Sequence, residues 1–262
     1  MIFKNLLRFR RLSHISACVM EKNLILTLNR PREKNALTWN MFSEMASIVR
    51  GVEHDDSIKS ITLTGNGDYF SAGMDVNNFR EIASKKDPTF NSEKAKLIRE
   101  LIASLIDLTK PFIVLANGSG VGFGLTVLAF ADFVYAVNDA RFYMISQRSN
   151  FILGPMACTS YTLPKLFGFS NAFKYLLLKQ HFTAQEGYKH GIISKIVSPK
   201  DLEREGIELT KRIFKINASI EDTKTLMRMH TRRQLHEANI RECELIQKRF
   251  LADDFINNFR HL

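Results

Sequence analysis

A glycine-rich turn between two apolar runs constrains the fold of this chain most strongly. Residues 117–126 read N-G-S-G-V-G-F-G-L-T, with glycine at four alternate positions. The run before the turn, residues 112–115, predicts a buried strand, and the run after it, residues 125–131, predicts a helix. Glycine is required where backbone approaches another group closely or takes a positive φ. The turn therefore predicts a place where something comes close to bare backbone.

Two interpretations of this turn stay open from its sequence. The free N–H groups of the following helix would form an anion-binding corner, or the glycines would serve only to pack a strand against a helix. The dinucleotide pattern G-x-G-x-x-G does not fit, because its last position falls on Phe123 or Leu125. A nicotinamide-dependent enzyme is therefore disfavoured.

Strand and helix patterns alternate over the first 150 residues, and helical patterns dominate afterwards. Residues 24–28, 58–64 and 134–137 read as strands. Amphipathic helices are predicted at residues 39–52, with Thr38 as N-cap, and at residues 92–108, where one face carries Leu97, Leu101, Leu105 and Leu108. This order predicts an α/β core over residues 18–200 and a helical region over residues 201–262.

The net charge of +10 does not point to nucleic acid. Four of the ten charges lie in the acid-free first 17 residues, on Lys4, Arg8, Arg10 and Arg11. The other basic residues alternate with glutamates, without the basic–aromatic alternation of single-strand binders. No apolar run approaches the ~20 residues of a membrane helix. A moderate basic excess suits a substrate that carries several phosphates.

Residues 1–17 have the composition of a mitochondrial targeting peptide, being rich in Arg, Leu and Phe and free of Asp and Glu. The alternatives are a basic tail or a helix of the fold. The last three residues, R-H-L, resemble the peroxisomal S-K-L signal only poorly. We therefore expect a mitochondrial location, with the peroxisome as the alternative.

Cysteine and histidine residues give no sign of a disulfide framework or a metal site. Cys18, Cys158 and Cys243 are few and scattered, which favours a reducing compartment. The seven histidines lack the spacing of metal ligands. No metal is expected.

Five motifs in a fixed order carry a family resemblance. They are N-x-P-x-x-x-N-A-L at residues 29–37, F-S-A-G-x-D at 70–75, K-P followed by N-G-x-x-x-G-x-G at 110–124, A-D-x-x-Y-A at 131–136, and T-A-Q-E-G at 183–187. Together they resemble the crotonase, or enoyl-CoA hydratase/isomerase, superfamily. Residues 160–165 and 236–250 resemble especially the peroxisomal-type Δ3,Δ2-enoyl-CoA isomerases.

The resemblance implies a spiral of ββα units followed by helices that form trimers or dimers of trimers. It implies an acyl-CoA or enoyl-CoA ligand, with no further cofactor, whose thioester oxygen lies between two backbone N–H groups. By position, these belong to Met74 and Phe123. The ligand path would be lined by Asn35, Ala36, Ala72, Gly73, Met74, Asp75, Val76 and Gly122.

The pattern breaks at the residue that would move a proton. The isomerase glutamate corresponds to Met156, and the two hydratase glutamates fall near Thr126 and Ser146. No Asp or Glu occurs between Asp139 and Glu186. A thioether neither takes nor gives a proton near neutral pH. The oxyanion hole is therefore expected without its general base.

Several alternatives follow from this gap. A carboxylate could come from elsewhere, with Glu81, Glu100 and Asp254 as candidates. Cys158 could be a nucleophile, although a buried structural thiol is favoured. Asp75 and Asp132 read as structural.

The leading functional hypothesis is an acyl-CoA-binding protein of fatty-acid metabolism, of the isomerase type. It would be either an enzyme with a displaced base or an inactive paralogue that acts through binding or interaction. RNA binding through Lys94, Lys96 and Arg99 ranks lowest, because these residues share no single stripe of the helix.

Overall fold

The computed structural model describes residues 14–144, 153–216 and 219–260, and two sheets organise these ranges. The larger sheet has the order β1-β2-β3-β5-β7-β10, with strands β1 (Ile15–Met20), β2 (Asn23–Leu28), β3 (Ser60–Gly65), β5 (Phe112–Ala116), β7 (Phe133–Val137) and β10 (Lys195–Val197). All its pairs are parallel except β1 with β2. The smaller sheet has the order β4-β6-β8-β9, with strands β4 (Tyr69–Ser71), β6 (Ser119–Val121), β8 (Arg141–Tyr143) and β9 (His181–Thr183).

Helices cover the sheets and form the C-terminal part of the described chain. They are α1 (Trp39–Glu53), α2 (Val76–Lys85), α3 (Pro88–Asp107), α4 (Phe123–Thr126), α5 (Thr159–Phe167), α6 (Phe169–Leu177), α7 (Ala184–Lys189), α8 (Leu202–Lys215), α9 (Ile220–Phe250) and α10 (Asp253–Arg260). Among the described residues, no helix combines the length and apolar character needed to span a bilayer.

From β3 to β8, consecutive strands alternate between the two sheets. The chain runs β3-β4-α2, then β5-β6-α4, then β7-β8-α5, and each pair places its first strand in the larger sheet and its second in the smaller one. The three repeats are parallel to one another, so the carboxyl ends of equivalent strands meet at one edge. The predicted α/β spiral of ββα units with a helical C-terminal region is confirmed.

A capping side chain marks the start of both amphipathic helices that were predicted, and one of the two starts was predicted correctly. Helix α1 begins as predicted, because the Thr38 hydroxyl accepts a hydrogen bond from the Met41 N–H. Helix α3 begins four residues before the predicted start, because Asp87 caps it and Pro88 is tolerated in its first turn. The predicted leucine stripe of α3 is partly wrong: Ile98 and Ile102 are buried, whereas Leu97 is only partly so. The helix predicted at residues 125–131 is instead the short α4 followed by a 3-10 turn at Val127–Phe130.

Strand β1 begins inside the stretch predicted as a targeting peptide. Ile15 pairs with Leu28 of β2 and is buried, so residues 15–17 belong to the larger sheet. The folded core therefore starts three residues before the predicted boundary at residue 18. Residues 1–13 and the C-terminal pair 261–262 lie outside the described residues. The targeting predictions for these segments stay predictions.

Helix α9 is fastened to the core by a buried ion pair. The Lys224 Nζ lies 2.6 Å from Asp132 Oδ2 and donates to the Lys110 carbonyl oxygen at 2.7 Å. The same Asp132 carboxylate accepts a hydrogen bond from the Phe112 N–H. Burial lowers the pKa of Lys224 to about 8, and the Asp132 charge opposes this shift. The structural role predicted for Asp132 is confirmed.

Candidate functional site

The two turns singled out in the sequence lie side by side. Strands β4 and β6 are parallel neighbours, with Tyr69 opposite Ser119 and Ser71 opposite Gly120. The turn after β4 and the part of the glycine turn that follows β6 therefore emerge at the same edge of the smaller sheet. The peptide backbones touch there, since a Cβ added to Gly73 would lie 2.6 Å from the Val121 carbonyl oxygen.

Glycine is required at both turns for close approach. Gly73 has a φ of +80°, and its Cα region faces Gly122 across the gap between the turns. A Cβ on Gly124 would lie 2.8 Å from the Ser71 carbonyl oxygen. The glycines of the turn thus pack backbone closely against backbone. The same packing brings the Met74 and Phe123 backbones next to a common space.

The Met74 N–H is left free by its neighbours. Leu37 donates its N–H to the Gly73 carbonyl oxygen at 2.7 Å and accepts from the Asp75 N–H at 3.0 Å. Successive peptide groups of an extended chain point in opposite directions. The Met74 N–H therefore points away from Leu37, and no acceptor within the described part of the chain takes it up.

The Phe123 N–H is free for a different reason. Phe123 is the first residue of α4, and the first N–H groups of a helix have no acceptor within it. The Gly122 carbonyl oxygen is already used by the N–H groups of Leu125 and Thr126, both at 2.9 Å. Gly122 itself donates to the Tyr143 carbonyl oxygen at 2.8 Å, which fixes the turn from behind.

Side chains from the first two motifs hold the Met74 turn in place. The Asn35 amide nitrogen donates to the carbonyl oxygens of Asn66 and Tyr69 at 2.9 and 2.7 Å. The Ser71 hydroxyl donates to the Asn35 carbonyl oxygen and accepts from the Gly73 N–H. The side chains of Asn35 and Ser71 are therefore committed to the turn, whatever role their backbones have toward a ligand.

Asp75 is also committed to structure. Its carboxylate caps α2 by accepting from the Asn77 N–H at 2.9 Å, and it lies 2.5 Å from the Arg30 guanidinium. Arg30 in turn donates to the Ala36 carbonyl oxygen. The capping role predicted for Asp75 is confirmed. Among the residues predicted to line the ligand path, Ala36 is buried and Val76 is exposed at the first turn of α2.

A small apolar cavity lies beside the two free N–H groups. Its volume is about 10 Å³, room for about one water molecule. The described residues that line it are Phe42, Met74, Ile98, Ile102, Phe123, Thr126, Met156 and Ala157. The structure thus brings Met74, Phe123, Thr126 and Met156 together from three separate segments, as the sequence predicts.

Comparison with known proteins agrees with this arrangement. The chain matches the enoyl-CoA hydratase/isomerase family over residues 21–258. The chain belongs to this family. The match covers both turns, the cavity and the helices α8 and α9.

Individual relatives of the family agree with the match. The chain is 34% identical over 237 residues to enoyl-CoA delta isomerase 2 of Homo sapiens, covering 88% of this chain and 58% of that protein. It is 29% identical over 238 residues to peroxisomal enoyl-CoA delta isomerase 3 of Mus musculus, covering 90% and 74%. The fold matches a putative enoyl-CoA hydratase/isomerase from Acinetobacter baumannii with a TM-score of 0.86 at 25% identity, covering 96% and 99%. The chain thus spans less than two thirds of the length of the human relative.

No carboxylate lines the cavity among the described residues. The three candidates for a displaced base face other partners: Glu81 lies 3.0 Å from Lys85, Glu100 lies 3.8 Å from Lys96, and Asp254 lies 2.6 Å from Arg249. The Ser146 position lies outside the described residues. The described walls are therefore apolar and lack a carboxylate, with the free N–H groups of Met74 and Phe123 close by.

Cys158 is a buried structural residue, as favoured from the sequence. Its thiol contacts the Leu235 carbonyl oxygen of α9 at 3.2 Å, and burial raises its pKa well above the usual range. A nucleophilic thiol needs a lowered pKa and access to solvent. The environment of Cys158 provides neither.

Sequence reasoning missed one buried carboxylate close to this segment. Glu242 of α9 is buried, and its two carboxylate oxygens accept from the Cys158 N–H at 2.6 Å and the Ser160 N–H at 2.7 Å. Burial raises the pKa of Glu242, and the two N–H bonds oppose this shift. Glu242 lies about eighty residues along the chain from its partners, so local patterns could not reveal the contact. Its place within the resemblance to isomerases was the only signal.

Proposed function

We propose that the chain binds the thioester of an acyl-CoA or enoyl-CoA, with the thioester oxygen between the N–H groups of Met74 and Phe123. Two free donors on adjacent turns are the arrangement that stabilises an enolate or a polarised carbonyl. Membership in the enoyl-CoA hydratase/isomerase family supports this ligand class. The ligand path would run past Ala36, Ala72 and Val76, whose side chains are small or exposed, to the cavity.

We propose further that isomerisation of a 3-enoyl-CoA by this chain is slow or absent. The observation that carries this is a cavity with Met74, Phe123 and Met156 on its walls and no carboxylate among the described residues that line it. Moving a proton from C2 to C4 needs a group that accepts and returns it, and losing such a group typically lowers the rate by about 10²–10⁴. The chain is thus a ligand-binding member of an isomerase-type lineage in fatty-acid metabolism.

Ligand entry requires the cavity walls to move. A volume of about 10 Å³ does not hold an acyl chain. Two of the walls are methionine side chains, Met74 and Met156, and both are only partly buried. Methionine is unbranched and changes rotamer easily, so it can yield to an incoming chain. The acyl chain would then lie against Phe42, Ile98 and Ile102.

Isothermal titration with CoA and with a medium-chain acyl-CoA tests the binding. Preference for the acyl-CoA by tenfold or more supports the proposal. Equal affinity or no binding refutes it, and the hypothesis that remains is a protein that acts by binding other proteins. Isomerisation of a 3-enoyl-CoA, measured in parallel, tests the second part. A turnover rate typical of enzymes, roughly 1–10³ per second, in the unmodified chain would refute the slow-reaction proposal.

RNA binding is not proposed, because two of the three cations predicted for it have other partners. Lys94 lies over the rings of Phe90 and Trp39 at 4.6 and 5.5 Å, and Lys96 faces Glu100.

We propose that the chain forms homotrimers or dimers of trimers. The support is apolar surface on the N-terminal half of α9, where Leu226, Met227 and Met229 are exposed. Light scattering after gel filtration tests this, with Met227→Lys as the disrupting variant. A monomer in the unmodified chain would refute it.

We propose a mitochondrial location, based on the composition of residues 1–17. One relative is peroxisomal by name, so the peroxisome is the alternative. Imaging of the chain with a C-terminal fluorescent tag, with and without residues 1–13, tests the first, and an N-terminal tag tests the second.

A further inference from the structure

The backbone that carries Met156 is unusual and needs support. Gly154, Ala157 and Cys158 all have positive φ values, of +103°, +57° and +64°. Residues with a Cβ disfavour this region, and two such residues in succession are uncommon. The segment 154–158 leads directly into α5 and provides the Met156–Ala157 wall of the cavity. The shape of this wall therefore depends on contacts that hold the segment.

Those contacts come mainly from α9. The Glu242 carboxylate accepts from the N–H groups of Cys158 and Ser160, at 2.6 and 2.7 Å. Leu245 packs against Gly154, since a Cβ added there would lie 3.2 Å from Leu245 Cδ2. Within the segment, the Thr159 hydroxyl bonds both the N–H and the carbonyl oxygen of Met156, at 2.9 Å each. Glu242 is the only one of these side chains that grips two backbone N–H groups.

The same helix also contacts the segment that carries two other wall residues. The Asn239 amide nitrogen donates to the Arg99 carbonyl oxygen of α3 at 3.0 Å. Arg99 follows Ile98, which lines the cavity together with Ile102. Asn239 and Glu242 are three residues apart on α9, so they lie on one face of the helix. One face of α9 thus contacts the two segments that carry the wall residues Met156 and Ile98.

We infer that Glu242 is a positioning residue of the acyl site, which fixes the Met156–Ala157 wall relative to the N–H groups of Met74 and Phe123. The inference rests on the proposed function. Glu242 would act on the acyl part of the ligand through the wall, because its carboxylate is bonded to the backbone next to Met156. A residue that merely capped α5 would affect stability without changing how the chain discriminates acyl-CoA from CoA.

The decisive variant is Glu242→Gln, which keeps the shape of the side chain. Its amide retains one acceptor oxygen, while its NH₂ group faces one of the two backbone N–H donors. The matched control is Glu244→Gln, which changes the same residue type at an exposed position two residues further on. We expect Glu242→Gln to weaken acyl-CoA binding about tenfold, in line with the loss of a charged hydrogen bond. Binding of CoA should change less than twofold in both variants.

Hydrogen exchange without ligand tests the anchoring by itself. The amide protons of Cys158 and Ser160 should exchange faster in Glu242→Gln and at the unmodified rate in Glu244→Gln. Should Glu242→Gln not fold, Thr159→Val removes the other support of Met156 and carries the same expectation for the two ligands.

The outcomes are separable. Equal affinity of the unmodified chain for acyl-CoA and CoA would refute the proposed function. A preference for acyl-CoA that survives unchanged in Glu242→Gln, or in Thr159→Val if the first variant is unfolded, would refute the inference alone. Unchanged exchange of the Cys158 and Ser160 amides would also refute it.

Discussion

Gly73 lies directly against Val121, so that a Cβ on Gly73 would be 2.6 Å from the Val121 carbonyl oxygen. This contact joins the turn after β4 to the turn after β6 and sets the spacing of the two free N–H groups. It involves backbone on both sides, which cannot move aside as a flexible side chain can.

Replacing Gly73 by alanine should therefore weaken binding as well as strain the backbone, because the added Cβ pushes the two turns apart. We expect Gly73→Ala to lower the free energy of unfolding by roughly 2 kcal/mol or more and to reduce acyl-CoA affinity. Gly168→Ala is the matched control, because Gly168 has nearly the same φ, +78°, and no atom within 4 Å of the added Cβ. Titration and urea unfolding of both variants check this. Equal losses in the two would contradict it.

Introducing a carboxylate at Met156 should create activity. We expect Met156→Glu to raise the rate of 3-enoyl-CoA isomerisation by a factor of about 10²–10⁴. Burial in the apolar cavity should raise the pKa of the new carboxyl, so the rate should increase as pH rises through that pKa. Met20→Glu, at an exposed strand end, is the control for the added charge. No gain in a folded, ligand-binding Met156→Glu variant would count against the assignment of this position.

Lys224 should make stability depend on pH in the alkaline range. Its pKa falls from 10.5 unfolded to about 8 folded, so the unfolded chain holds more protons between these values. Stability contributed by this group must then increase as pH rises from 8 to 10.5, and its desolvation cost is fully present below pH 8. The unmodified chain should therefore gain stability relative to Lys224→Met as pH rises. Its unfolding free energy minus that of the variant should increase by roughly 2 kcal/mol from about pH 7.5 to about pH 10.

Urea unfolding at the two pH values measures this difference. The exposed Lys215→Met variant provides the baseline for other groups that titrate in the same range. A difference that stays constant with pH, or shrinks, would show that the desolvation of Lys224 does not dominate its titration.

Thiol labelling should distinguish Cys18 from the other two cysteines. Cys18 is exposed, whereas Cys158 and Cys243 are buried. Burial raises the pKa of both buried thiols, to about 12 for Cys243. In the native chain one thiol should react with a disulfide reagent at neutral pH, and Cys18→Ser should abolish this reaction. Fast labelling of Cys158 would support the alternative that its thiol is a nucleophile.

The sequence predicted those parts of the fold that short-range chemistry decides. Thr38 marks the start of α1 because a hydroxyl cap acts on the next turn of the chain. Gly73 and Gly122 marked the two turns because positive φ and close approach exclude other residues. The start of α3 was placed too late because Pro88 reads as a loop residue until its cap, Asp87, is considered.

The part of the site that long-range packing decides was not predictable from local patterns. Phe42, Ile98 and Ile102 are ordinary apolar residues of amphipathic helices, and nothing in their spacing separates cavity walls from core. The role of Glu242 depends on a contact across more than eighty residues of chain. The targeting peptide was predicted over residues 1–17 from composition alone. Composition could not show that Ile15 pairs with Leu28 and so belongs to the sheet.

Because both donors of the proposed oxyanion hole are main-chain N–H groups, their presence does not depend on which side chains occupy positions 74 and 123. Substitutions at these two positions can change the fit of the acyl chain and still leave the proposed pair of N–H donors in place. Gly73, Gly122 and Gly124 cannot be substituted in the same way. Across the family, the glycines next to the donors should therefore stay the same wherever the site is kept. The side chains at the two donor positions should instead vary with the ligand that each protein prefers.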